Sequence, residues 1–345
     1  MLYNTVNPHG GDIYAGNVEL DFSANTNPLG TPDSVKAAVS SCIDGLSHYP
    51  DPYCRRLVSA VADHENVPES FVLCGAGAAE LIYSYAAAAG PNSIVELAPT
   101  FAEYSLPLKS ARISRFPLKE ETGFRVTEGF LDFIGEIKPD TVFLCNPNNP
   151  TGLLAGPELI EAAAKRCRVI GAQLFLDECF MDLADSGKSF VPHLKDYPNV
   201  VILKAFTKSY GMAGLRLGYC LSADAALLSY MSRAVQPWNV STVAQAAGVA
   251  ALGETAFLEK TRAFVKSERP RLADGLRSLG FTVFDSDTVF LLIKGPAGLD
   301  EKLLAKGITI RNCANFTGLT DGFYRVVVRR PEENRRLLDS IRECL

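Results

Sequence analysis

From about residue 52 to residue 220 the sequence alternates short apolar runs with stretches of helical character, a pattern that few architectures accept. The runs are Phe71-Val72-Leu73-Cys74, Ile94-Val95-Glu96-Leu97, Val142-Phe143-Leu144-Cys145, Leu174-Phe175-Leu176 and Val200-Val201-Ile202-Leu203. A strand that is apolar at successive positions has no solvent face, so helices must cover both sides of its sheet. Helices are expected between some of the runs, at residues 78–89 and 157–168. Such alternation predicts an α/β fold on a mostly parallel sheet.

The flanks read differently. Residues 33–44 carry Val35, Val39, Cys42 and Ile43 on one helical face behind Pro32, and the turn residues His48-Tyr49-Pro50-Asp51-Pro52 follow. Beyond Trp238 a long helix is expected over 256–279, stopped by Gly280. Strand-like segments follow at 282–284, 289–293 and 324–328. A last helix opens at Pro331, with Glu332 and Glu333 complementing the dipole of its first turn. The expected division is a large α/β domain over 45–235 and a smaller α+β domain made of 1–44 and 236–345. Ligand pockets favour such junctions, so the active site is expected there.

Composition narrows the function. A net charge of −5 disfavours a dedicated nucleic-acid surface, which needs a basic face. Nine cysteines form no Cys-x-x-Cys pair and only four histidines are present, so no metal site is expected. Scattered thiols and an ample apolar core point to reduced cysteines in a cytoplasmic protein. Residues 1–7 lack a signal-peptide pattern. The longest apolar stretch, 81–89, is too short to cross a bilayer.

Four segments carry chemistry, each at or shortly after a strand-like run: Gly75-Ala76-Gly77-Ala78-Ala79-Glu80, Asn146-Pro147-Asn148-Asn149-Pro150-Thr151-Gly152, Asp177-Glu178, and Thr207-Lys208 with Gly214-Leu215-Arg216-Leu217-Gly218-Tyr219. Ligands in open α/β sheets bind beyond the carboxyl ends of the strands, so the four can converge. Taken singly, each has a plainer reading. The glycine pair suits a phosphate cradle at a helix N-terminus, a dinucleotide fingerprint lacking its third glycine, or a tight turn. The asparagine-proline segment suits a surface loop. Asp177 suits a helix N-cap, or a buried carboxylate paired with a cation such as a protonated pyridine nitrogen. Lys208 lies among Phe206, Tyr210 and Met212, which would desolvate its amine and favour nucleophilic chemistry. Arg216 offers a rigid fork for two phosphate oxygens.

In combination, order and spacing resemble the fold-type I pyridoxal-phosphate enzymes, the aspartate aminotransferase superfamily, over almost the whole chain. The resemblance implies a seven-stranded-type sheet flanked by helices, and pyridoxal 5'-phosphate held by Lys208 as a Schiff base. It implies Asp177 at the pyridine nitrogen, Asn149 at the phenolic oxygen and Tyr104 stacked on the ring. Ala76, Gly77, Thr207 and Arg216 are implied at the cofactor phosphate. Tyr49 resembles a tyrosine that reaches the neighbouring subunit's phosphate, which implies a homodimer with shared sites.

Two branches fit best, threonine-phosphate decarboxylase and histidinol-phosphate aminotransferase. His9-Gly10-Gly11, Phe22-Ser23-Ala24-Asn25-Thr26-Asn27-Pro28-Leu29-Gly30, Gln236-Pro237-Trp238-Asn239-Val240, the segment from Ile310 to Leu319 and Tyr324-Arg325-Val326-Val327-Val328-Arg329 resemble the decarboxylase. That branch implies release of carbon dioxide from L-threonine O-3-phosphate to give (R)-1-amino-2-propanol O-2-phosphate. Many aminotransferases carry a tyrosine where Phe180 stands, so one donor to the phenolic oxygen is missing here. In either branch Arg325 is the expected partner of the substrate carboxylate and Arg311 of the substrate phosphate. His9, Asn25 and Arg329 are further substrate candidates, and Arg311 and Arg329 also suit a solvated strand edge. Ala205 departs from the hydroxyl residue the family often places two before Thr207. A nicotinamide-dependent dehydrogenase would leave Lys208 and Asp177 idle, and a DNA-binding regulator would need length and basic charge that are lacking here.

Overall fold

The computed structural model describes residues 9–14, 16–186 and 188–345. Its strands are β1 (Leu20–Asp21), β2 (Val72–Gly75), β3 (Ser93–Ala98), β4 (Arg112–Pro117), β5 (Thr141–Cys145), β6 (Gln173–Asp177), β7 (Val200–Ala205), β8 (Gly218–Leu221), β9 (Thr282–Val283), β10 (Phe290–Lys294), β11 (Ile308–Thr309), β12 (Arg311–Asn312) and β13 (Phe323–Val327). The α-helices are α1 (Asp33–Ser41), α2 (Arg55–Glu65), α3 (Ala78–Ala89), α4 (Gly129–Ile137), α5 (Pro157–Ile170), α6 (Phe206–Ser209), α7 (Ala225–Arg233), α8 (Thr242–Leu252), α9 (Thr255–Ser278), α10 (Leu299–Leu304) and α11 (Pro331–Cys344).

Seven strands form the main sheet in the order β2-β8-β7-β6-β5-β3-β4. Only β8 runs against its neighbours. The apolar runs have no solvent face because consecutive side chains enter opposite layers. Val142, Leu144, Leu174, Leu176, Val200 and Ile202 pack on one side. Phe143, Phe175, Val201 and Leu203 pack on the other, under Leu81, Ile82 and Tyr85 of α3 and Leu228 of α7. The mostly parallel, helix-flanked sheet expected from the sequence is therefore present.

Two strands of the main sheet escaped the sequence reading, as did the two-residue β1, β11 and β12 outside it. β4 is an edge strand whose side chains are largely half-buried or exposed, so it lacks a continuous apolar run. β8 is four residues long and lies within the glycine-rich segment around Arg216. A second, antiparallel sheet has the order β12-β13-β10-β9, and β1 pairs in parallel with β11 beside it. Among the described residues, no helix is long and apolar enough to cross a membrane.

A buried ion cluster sits beneath the site. Lys204 is only 5% exposed at the end of β7. Its Nζ lies 2.9 Å from Glu65 Oε1 on α2 and 3.5 Å from Asp182 Oδ1. The Tyr219 hydroxyl also donates to Glu65 at 2.6 Å, and the Ser209 hydroxyl to Asp182 at 2.9 Å. This cluster fixes the strand and the short helix that carry Lys208. Removing the lysine would strand two acidic groups away from water. Lys204→Met should therefore lower stability by about 3–5 kcal/mol, measured by urea unfolding. A loss under 1 kcal/mol would contradict this account.

Candidate active site

The carboxyl ends of β3, β5, β6 and β7 open onto a cavity of about 200 Å³ that also meets the antiparallel sheet. Asp177 is the last residue of β6. Lys208 follows β7 within α6. Asn149 comes from the segment after β5. That segment is no surface loop: Asn146, Asn148, Asn149 and Thr151 are all buried. Its turn residues are satisfied internally, with Asn148 Oδ1 accepting from the Thr100 hydroxyl at 2.8 Å and Asn146 Oδ1 from the Ala155 amide at 2.8 Å.

Lys208, Asp177, Asn149, Thr207, Arg216, Arg311, Arg325, Asn25 and His9 all line this one cavity. Burial, and next the positive charge of Arg325, lower the Lys208 amine to about 8. Its Nζ sits 5.9 Å from the ring centroid of Phe180, which also lines the cavity. Burial pushes the Asp177 carboxyl above its usual range, opposed by hydrogen bonds from Cys179 and Tyr104 and by the charge of Lys208. The Cys179 amide donates to Asp177 Oδ1 at 2.9 Å, and the Tyr104 hydroxyl to Oδ2 at 2.6 Å.

Four of the expected site residues, Tyr104, Ala76, Gly77 and Arg329, lie outside the cavity lining. Tyr104 is fully buried, stacked 5.3 Å from Phe143, and does not line the cavity. The aromatic residue at the cavity wall is Phe101, three positions earlier, while Tyr104 stands behind and orients Asp177. Ala76 and Gly77 also stay outside the lining, which instead includes Ala78 and Ala79. The Ala76 amide is committed to Glu80 Oε2 at 2.6 Å, whereas the unpaired amides of a helix belong to its first turn. That rule applied to α3 would have selected 78 and 79. Gly77 acts by its size: at φ +96, a Cβ there would lie 2.9 Å from an Arg216 guanidinium nitrogen. Arg329 lies outside the cavity lining, and its guanidinium binds the Asp21 carbonyl, tying β1 to the end of β13.

Another part of the cavity wall comes from β12 and β13. Their register sets Arg311 directly across from Arg325, an arrangement that costs energy between like charges. Arg325 donates to Asn149 Oδ1 and, at 2.7 Å, to the Ser23 carbonyl. Asn25 is 2% exposed, and both polar atoms of its amide are without a protein partner. Tyr49 is 79% exposed and stacks on Trp238 outside the cavity, so it contributes nothing to the site of its own chain.

The groups present fit pyridoxal phosphate. The first turn of α3, Thr207 and Arg216 offer donors to a phosphate, Phe101 a face to a ring, Asp177 an acceptor to a ring nitrogen and Lys208 an amine to an aldehyde. Ala205 lines the same wall without a hydroxyl. Because the amine must be unprotonated to attack, capture of added pyridoxal phosphate should accelerate as pH rises through about 8, followed by stopped-flow absorbance. Arg325→Gln should move that midpoint upward, and Lys208→Ala should abolish the visible band. A rate flat between pH 6.5 and 9.5 would contradict the assignment. Tyr104→Phe should weaken cofactor retention by about 1–3 kcal/mol through the acceptor it leaves unpaired. Equilibrium dialysis measures this, and unchanged retention would exclude the role.

Residues 17–341 match the aminotransferase class I and II family. The chain is 37% identical to a threonine-phosphate decarboxylase from Salmonella typhimurium, across 100% of this chain and 98% of that one. It is 32% identical to histidinol-phosphate aminotransferase 2 from Archaeoglobus fulgidus, across 94% of this chain and 92% of that one. A histidinol-phosphate aminotransferase from Sinorhizobium meliloti, solved in complex with pyridoxal-5'-phosphate, shares the fold with a TM-score of 0.84 at 23% identity, covering 95% of this chain and 92% of that chain. The cavity, its donor set and these likenesses agree: the chain belongs to the aminotransferase class I and II family and is a pyridoxal-phosphate-dependent enzyme.

Proposed function

We propose that this enzyme decarboxylates L-threonine O-3-phosphate to (R)-1-amino-2-propanol O-2-phosphate, a step of cobalamin synthesis. The observation that carries the reading is the pair Arg311 and Arg325, held in register on the wall opposite Lys208's strand. Two cations there match a substrate that itself bears both a phosphate and a carboxylate, whereas the aminotransferase branch would divide the same pair between the phosphate of histidinol phosphate and the carboxylate of its keto-acid partner. The likeness to the Salmonella typhimurium decarboxylase supports the same choice. So does Phe180, whose ring lies at the cavity where many aminotransferases place a hydroxyl donor.

In this reading Arg325 takes the carboxylate and Arg311 the phosphate, with Asn25 and His9 completing the polar wall. When bound, pyridoxal phosphate supplies an aldehyde for the substrate amine and a ring that withdraws electrons from Cα. Asp177 would take the ring nitrogen and keep it protonated. Asn149, its own carbonyl oxygen held by Arg325, would serve the phenolic oxygen. Arg325 selects the reaction by position, because a carboxylate pinned perpendicular to the ring plane is the group that leaves. Lys208 Nζ would return a proton to Cα after carbon dioxide departs.

Tyr49 and its neighbour Trp238, both exposed, suit a homodimer in which each subunit reaches the other's phosphate. The nine free cysteines suit a reducing, cytoplasmic setting. A large part over 45–235 and a smaller part from 1–44 with 236–345 remains our reading of the domains, supported by the β1–β11 pairing of the chain's two flanks. Serine phosphate lacks one methyl group, and a pocket separates such a pair by only about 1–3 kcal/mol, so slower turnover of it is expected.

The test is to supply L-threonine O-3-phosphate, L-serine O-phosphate and histidinol phosphate in parallel. Carbon dioxide release should depend on the first two and need no keto acid. Arg325→Gln should abolish it, while Arg311→Gln should mainly raise KM for the phosphorylated substrates. Transamination of histidinol phosphate without carbon dioxide release would assign the enzyme to the aminotransferase branch instead.

A further inference from the structure

We propose that Glu103, which lies outside the cavity, is a positioning residue for recognition of the substrate phosphate: its carboxylate fixes the His9 imidazole at the rim of the cavity that Arg311 also lines. The inference rests on the reading of the substrate as a phosphorylated amino compound, and it holds for either branch of the family.

His9 and Arg311 line the same cavity, whereas Glu103 does not. His9 Nε2 lies 2.5 Å from Glu103 Oε1. The two side chains differ in exposure, 36% for the histidine and 11% for the glutamate, so the carboxylate is an interior anchor for a ring near solvent. The Tyr83 phenol of α3 senses the same carboxylate: burial, followed by the charge of Glu103, raises it above its usual range. A carboxylate at Nε2 accepts a hydrogen bond from that nitrogen and sets the plane of the ring, so that a phosphate at the rim would be met by the Nδ1–H of the doubly protonated imidazole.

The backbone beside His9 is fixed independently. The Gly11 amide donates to the Ser23 hydroxyl at 2.7 Å, and that hydroxyl donates to Asp21 Oδ1 at 2.6 Å. A Cβ on Gly10 would stand 2.6 Å from the Ser23 carbonyl oxygen, so the strand of chain passes there at its closest approach. With main chain and ring both anchored, the imidazole occupies a defined place on the wall that already carries Arg311. Glu103 lies in the turn Ala102–Tyr104, immediately after Phe101 and before Asp177's partner Tyr104. One short turn therefore serves the cofactor face and the substrate rim together.

The experiment uses the cofactor-loaded enzyme and calorimetric or spectral titration with O-phospho-L-threonine, histidinol phosphate and L-threonine. Glu103→Gln and His9→Ala should each weaken binding of the preferred phosphate ester about tenfold, the loss expected for one charge-assisted contact. The double variant should be no weaker than His9→Ala, since Glu103 acts through His9. Binding of L-threonine and retention of pyridoxal phosphate should be unchanged. Additive losses, or equal losses for L-threonine or the cofactor, would overturn the proposal and make Glu103 a structural residue of its turn. If histidinol phosphate alone shows the phosphate-specific, non-additive loss, the decarboxylase reading falls while the role of Glu103 stands. If neither ester shows it, the role of Glu103 falls whatever the reaction.

Discussion

Lys208, Arg216, Arg311 and Arg325 line a cavity whose only carboxylate among the described lining residues is Asp177. Drawing charges out of water costs several kcal/mol each unless opposite charges meet them. The imbalance is visible in the titration of the groups themselves: Lys208 falls to about 8, and Arg325 also falls below its ordinary range, burial being the main cause of both. Such a cavity is well suited to anions. A cofactor phosphate at the α3 end and an anionic substrate at the β12–β13 end would neutralise what the protein alone leaves uncompensated.

Keeping four cations together requires rigid mounts. Lys208 is held through its backbone, its carbonyl accepting from the Asn27 amide at 3.1 Å, and through the Lys204 cluster below. Arg325 is clamped between Asn149 and the Ser23 carbonyl. Asn27 in turn donates to the Ser209 carbonyl at 2.8 Å, so the segment from Ser23 to Asn27 touches both arginine and lysine mounts. The chain's beginning thereby closes the seam between its two sheets. Polar groups aimed before substrate arrives need little reorganisation during reaction, which is where electrostatic catalysis gains most.

The large sheet was legible because its strands announce themselves: residues such as Val142 and Phe143 must both be buried, and only a doubly covered sheet does that. The site was legible in its strand-end residues, Asp177, Asn149 and Lys208, because topology alone delivers strand ends to one edge. What stayed hidden was direction. Phe101 and Tyr104 are both aromatic and three apart, and no sequence pattern says which faces the cavity; the Asp177 carboxylate decides it by taking the Tyr104 hydroxyl. Glu103 was hidden for a similar reason, since its partner lies 94 residues away. Lys204 looked like the polar end of a strand, yet Glu65 and Asp182 make it a buried ion. Long-range pairing was what the local pattern could not carry.

Arg325 also bears on how one scaffold serves two reactions. In the proposed reading Lys208, Asp177, Asn149 and the phosphate donors serve a decarboxylase and an aminotransferase alike, and relatives of both kinds resemble this chain throughout. The bond that breaks is the one standing perpendicular to the ring, so the choice depends on where the carboxylate is pinned. Arg325 sits on a strand of the antiparallel sheet, and Lys208 follows a strand of the main sheet. The relation between these two mounts is set by packing between the sheets and by the Ser23–Asn27 seam, with no catalytic group exclusive to either reaction. If Arg325 takes the carboxylate, displacing that guanidinium, or a neighbour that competes for it, is expected to change which bond stands upright. Branches of the family can therefore diverge through substitutions outside the catalytic set, in the residues that hold Arg325.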